Sequence, residues 1–147
     1  MTITSWSIIR FIHVTAATVW VGGQLVLSGI VLPALRTAAA DASVDVTPLA
    51  RKAAHRFALV TTLGLLPVLI ATGTALAMHR GVTWDSLTRP GYGRLLAIKL
   101  ALVATSFLLS MVHGILTSRA PTTARVIAAG GLGASVGIVL FATALVP

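Results

Sequence analysis

The chain contains no cysteine and no glutamate, and its only acidic residues are Asp41, Asp45 and Asp85. Without cysteine there is no disulfide framework, no thiolate metal site and no thiol redox chemistry. The long apolar stretches hold no carboxylate at all. That excludes paired-carboxylate hydrolysis and a proton relay built on acids within a membrane. A nucleophile triad and a glycine-rich phosphate loop are also missing. No Pro/Ser-rich linker or charge run divides the sequence, and the one low-complexity tract is the short run Ala38–Ala40. The chain therefore reads as one domain, residues 1–147.

What is present is apolar. Hydrophobic residues make up 56% and charged residues 10%, and the mean hydropathy is +0.97. Four stretches, Ser5–Leu35, Ala53–Met78, Leu95–Leu116 and Thr123–Val146, supply close to or above the ~20 apolar residues that span a bilayer as helix. The expected fold is all-α: an antiparallel up-down four-helix transmembrane bundle joined by short connections. The apolar run from Phe11 to Leu35 is longer than a signal-peptide core, and its charge, Arg10, is single and late. It reads as a retained first membrane helix. The eleven Lys and Arg residues cluster at helix ends, where they meet lipid headgroups. The bilayer is thus the expected partner, and nucleic acid is not.

Pro33 and the polar segment Arg36–Lys52 are expected to end the first helix and form the first loop. Gly81 and Pro90–Gly91 bound the second loop, and Ala120–Pro121 marks the third turn. One side of the membrane then carries Arg36, Arg51, Lys52, Arg56, Arg119 and Arg125. The other carries Arg10, Arg80, Arg89, Arg94 and Lys99, of which Arg10 and Lys99 lie inside their helices. The positive-inside rule then orients both termini outside the cytoplasm.

Polar residues fall into stripes. In the first helix Arg10, His13, Ala17, Trp20 and Gln24 recur at helical spacing on one face, beside Gly22 and Gly23. Such a face belongs inside a bundle, and an intramembrane histidine is a functional candidate. The plainer alternative has Arg10 snorkelling to the interface and His13 acting as a packing residue. In the third helix Lys99, Ser106, Ser110 and His113 share a face. Its alternative has Lys99 and His113 reaching water at opposite ends. The second helix carries His55 and His79 near its two ends, Met78 beside His79, and Pro67 in the middle. Pro67 is expected to kink it, with Thr62, Thr72 and Thr74 available to satisfy backbone groups. The fourth helix offers Gly130, Gly131, Gly133, Ala134 and Gly137, a small-residue surface for packing or for a homodimer through Gly133 and Gly137.

Imidazole and thioether together suit copper, Cu(I) above all. By depth, His13, Met78 and His79 lie toward one membrane face, and His55, Met111 and His113 toward the other. His13 should sit about two turns deeper than His79, and Met111 points about 160° away from His113 on an ideal helix. The same histidines could ligate haem b, as His13 with His79, His55 with His113, or His13 alone, with Arg10 and Lys99 pairing the propionates.

The run His13–Gly23, HVTAATVWVGG, followed by VLPALR at Val31–Arg36, resembles the first helix of the CopD copper-resistance domain family. Tyr92–Leu100, YGRLLAIKL, resembles that family's third-helix signature; Arg56–Phe57 and Ala71–Thr72–Gly73 also fit. The resemblance covers essentially the whole chain. It implies a bacterial inner-membrane protein tied to copper uptake or handling, partnered by a small periplasmic copper chaperone. The His13…Trp20…Gly23 pattern and Lys99 also resemble, more weakly, the HemJ family of membrane protoporphyrinogen oxidases. That resemblance implies haem, with His13 and Lys99 functional. A third reading makes the chain an accessory subunit packing through the glycines of its last helix.

Overall fold

The structure is a computed structural model that describes residues 2–116 and 121–144. Among these residues there is no strand. Four helices are long and apolar enough to cross a membrane: Ser5–Asp41, Thr47–His79, Tyr92–Leu116 and Thr122–Thr143. The all-α fold with four membrane-length helices is as expected, and it fits a multi-pass membrane protein. The chain divides into two compact units, residues 1–80 and 81–147. Arg119, Ala120, Leu145 and Val146, which entered the charge count, the third turn and the fourth span, lie outside the described residues.

The first unit contains two long helices, each interrupted by a wide π-helical turn. The first is α1 (Ser5–Val26), a π turn at Leu27–Val31 and α2 (Leu32–Ala42). The second is α3 (Thr47–Leu59), a π turn at Val60–Leu65 and α4 (Leu66–His79). Both interruptions have one cause. Proline lacks an N–H, and its ring collides with the carbonyl four residues back. Pro33 and Pro67 each stand two positions beyond the last residue of the wide turn. There the Leu32 amide donates to Leu27 O and the Leu66 amide to Thr61 O, a five-residue reach that makes room for the ring.

Pro33 therefore does not end the first helix. The segment expected as a loop over Arg36–Lys52 is helical except at Ser43–Val46. Ser43 reverses the chain in the left-handed region, at φ 52°, and the Val44 amide donates back to Ala39 O at 3.3 Å. The Asp45 carboxylate then accepts from the Thr47 amide at 2.9 Å. The Thr47 side chain first, and this amide second, hold its carboxyl below the usual carboxylate range. A 37-residue helix is about 55 Å long, well beyond ~30 Å of hydrocarbon. Its polar α2 end accordingly extends past the apolar layer.

At its other end α1 is closed by a reciprocal cap between Thr4 and Ser7. The interior of this unit holds Ala16, Trp20, Val21 and Thr61, all buried. Phe11 and Leu63, 70% and 72% exposed, point outward, as expected of side chains solvated by lipid tails. The ring of Phe57 lies where a Cβ on Gly23 would stand.

The second unit begins with a 3₁₀ turn at Asp85–Thr88, where Arg89 pairs with Asp85. It continues as α5 (Tyr92–Leu116) and α6 (Pro121–Ala144). Gly93 is buried against the turn, and a Cβ there would collide with the backbone carbonyl of Ser86. The interface of α5 and α6 is tied by two fully buried serines. Ser106 Oγ and Ser135 Oγ are 2.9 Å apart, and Ser135 Oγ donates to Gly131 O at 3.0 Å. Gly137 receives the Leu102 side chain, whereas Gly133 faces open space.

Candidate metal-binding site

The polar face of α1 is found inside the first unit. Trp20 is buried and His13, Ala17 and Gln24 are half-buried. Phe11, Val14 and Val19, on the other faces, are exposed. Arg10 is exposed at the outer end of this stripe. His13 reaches across to α4, where its Nδ1 lies 2.8 Å from Thr72 Oγ1. That hydroxyl lies 2.6 Å from the carbonyl of Val68, one turn earlier on α4. The flat edge of the ring rests on Gly73, where a Cβ would stand 3.1 Å from His13 Cε1. Glycine at 73 is what lets the imidazole lie this close to the helix.

His79 has a different environment. Its ring stacks on Trp6, with centroids 3.7 Å apart and planes 12° from parallel. Because α1 and α4 run antiparallel, Trp6 meets His79 and His13 meets Thr72. The two contacts are seven residues apart on each helix, about 10 Å of rise. The depth offset expected from the sequence is therefore real. His13, Met78 and His79 do not close into one coordination shell, and Met78 is 72% exposed.

The remaining candidates lie at other helix ends. His55 is exposed on α3, on a face with Pro48, Arg51 and Lys52. In the second unit His113 Nδ1 is 2.8 Å from the carbonyl of Ala124, so this ring pins the end of α5 to the start of α6. Met111 is exposed and Lys99 half-buried. Ser110 bonds back to Ser106 O at 2.8 Å, which leaves Ser106 as the serine of that stripe that works between helices. Among the described residues no three His, Cys, Asp or Glu side chains converge to hold a metal ion.

Three contributors were not singled out from the sequence. Trp6 carried the signal of a tryptophan at a membrane-helix start. Ser135 carried that of a small polar residue four positions after Gly131. Thr61 carried none; its buried hydroxyl has no hydrogen-bond partner among the described residues.

Chemically, His13 is the best-placed candidate ligand of the set. It is half-buried, its ring is held at one nitrogen by a side-chain hydroxyl, and its edge is seated on a glycine. Metal-ligating histidines are oriented in this way, through a hydrogen bond from the other ring nitrogen. Comparison with models of known protein families, with characterised proteins and with solved structures gave no match for this chain.

Proposed function

We propose that this multi-pass membrane protein handles copper in the manner of the CopD family, with His13 as its principal ligand. The observation that carries the reading is the hydrogen bond between His13 and Thr72, which prepares an intramembrane imidazole as a ligand. Copper is the cargo. Met78 and His79 offer it soft and nitrogen donors near one membrane face, and His13 receives it about 10 Å deeper. His55, at the other end of its long helix, serves release toward the opposite face; within the second unit His113 and Met111 are the candidate donors, and Arg10 and Lys99 each hold the polar seam of their own helix. The protein sits in a bacterial inner membrane with both termini outside the cytoplasm. A small periplasmic chaperone delivers the metal, and a second copy packs against the open surface at Gly133.

The same observation supports one other reading, a haem b protein whose iron His13 would ligate and whose propionates Arg10 would pair. Haem would supply one-electron chemistry; the chain would supply the oriented imidazole and a cation. A visible spectrum of the detergent-purified protein, before and after dithionite, separates the two. A featureless spectrum from folded protein supports copper handling. A Soret band that shifts on reduction overturns it in favour of haem.

A further inference from the structure

Thr72 stands between His13 and Val68, and the proton count on its hydroxyl is decisive. The Val68 carbonyl can only accept, and Thr72 Oγ1 lies 2.6 Å from it. The single hydroxyl proton is therefore spent on that bond. The contact of 2.8 Å between Thr72 Oγ1 and His13 Nδ1 must then take its proton from the ring. A neutral imidazole carries one N–H, so Nδ1 holds it and Nε2 holds the lone pair. This reverses the preference of a histidine side chain in water, where the Nε2–H form dominates. Gly73 lets the ring lie close from the side, since a Cβ there would stand 3.1 Å from Cε1, tighter than ordinary contact.

We infer that Thr72 is a positioning residue that sets the tautomer of His13 and makes Nε2 its ligating nitrogen. The ligand class is a metal centre that accepts an imidazole nitrogen, a copper ion or a haem iron, so this inference rests on the reading of His13 as a ligand. Its hydrogen-bonding part does not. The relay from Nδ1–H through the hydroxyl to Val68 O is a property of the metal-free protein. A threonine is suited to it because its hydroxyl, held by its own helix at the carbonyl four residues back, presents only lone pairs to the ring. A serine can repeat the arrangement; a valine, of the same shape, cannot.

The experiment is nitrogen NMR of the full-length, metal-free protein labelled with ¹⁵N-histidine, at alkaline pH, where the ring nitrogens report directly which one carries the proton of the neutral ring. His13 is expected in the Nδ1–H form. In Thr72→Val it should move toward the Nε2–H form, and Thr72→Ser should restore it. His113, whose Nδ1 must donate to the Ala124 carbonyl, supplies the reference Nδ1–H signal in every variant, and an unchanged Trp6–His79 stack reports that the first unit keeps its fold. A wild-type His13 in the Nε2–H form, or a Thr72→Val spectrum with His13 unchanged, overturns the inference.

A Cu(I) titration of the same three proteins tests the step to ligation. Thr72→Val should weaken binding about 10–100-fold, the usual cost of losing such a partner, and Thr72→Ser should recover most of it. A tautomer that shifts while affinity stays constant would remove Thr72 from the metal site. If copper binding fails in all three proteins while the NMR result holds, the reading of function falls and the relay stands.

Discussion

The imidazole of His79 lies flat on the indole of Trp6, 3.7 Å between centroids and 12° between planes. The contact joins the first turns of α1 to the last turn of α4 and fixes the register in which those helices meet. It also sets His79 apart from His13, which meets α4 two turns away at Thr72.

Stacked aromatic pairs contribute about 0.5–1.5 kcal/mol beyond their buried area. A double-mutant cycle on Trp6→Ala and His79→Ala should return a coupling energy in that range. Reversible unfolding in mixed micelles measures it. Additive effects would mean that the stack has no energetic role.

Glycine positions should differ sharply. Gly93→Ala places a methyl group on the backbone carbonyl of Ser86, which has no flexible end to move aside. A loss above about 3 kcal/mol, or failure to fold, is expected. Gly133→Ala meets nothing within 4 Å and should be near neutral within this chain. Gly137→Leu would push on Leu102 inside the α5–α6 interface and destabilise the unit itself. Gly133→Leu is therefore the informative variant for self-association. A dimer through this surface predicts that the variant runs as a monomer, by light scattering in detergent, while its thermal stability is unchanged.

The buried hydroxyl of Thr61 has no partner among the described residues. An unsatisfied buried hydroxyl costs roughly 1–3 kcal/mol, so valine, its isostere, should be neutral or stabilising by about 1 kcal/mol. Thermal unfolding in detergent measures this. A marked loss of stability in Thr61→Val would show that the hydroxyl is engaged.

Asp45 gives the connection between α2 and α3 its pH dependence. Hydrogen bonds from Thr47 hold its carboxyl below the ordinary value. The contribution is therefore fully present above the unfolded carboxyl's value, about 3.9, and is lost as pH falls through the lowered value of the folded state. Hydrogen exchange at the Thr47 amide should stay protected at neutral pH and open at strongly acidic pH. Asp45→Ala should abolish both the protection and its pH dependence.

The helices and their interior faces were legible because apolar length and 3.6-residue periodicity are one-dimensional signals. The stripe through His13, Ala17, Trp20 and Gln24 carried both the helix and its inward side. The course of the chain at Pro33 was not legible. Proline usually stops a helix, and only the cooperation of five preceding residues in a wide turn lets α1 run into α2. Depth was legible in part: the offset of His13 from His79 followed from counting residues. The partners of these rings did not follow from counting, because Trp6 and Thr72 become neighbours only through the antiparallel register of α1 and α4. Thr72 could be read as a residue able to satisfy the carbonyl that Pro67 frees, but the one it bonds is Val68 O, one turn back on its own helix, and not the carbonyl four residues before the proline. Its simultaneous hold on His13 joins residues 59 positions apart, beyond any local pattern.

The most direct test of the account is a Cu(I) titration of the purified protein against His13→Ala and His79→Ala, with a competing chromophoric chelator as readout. The account predicts that wild type binds, that His13→Ala loses the tight site, and that His79→Ala retains it. Tight binding that survives His13→Ala would contradict the assignment of His13 as the principal ligand.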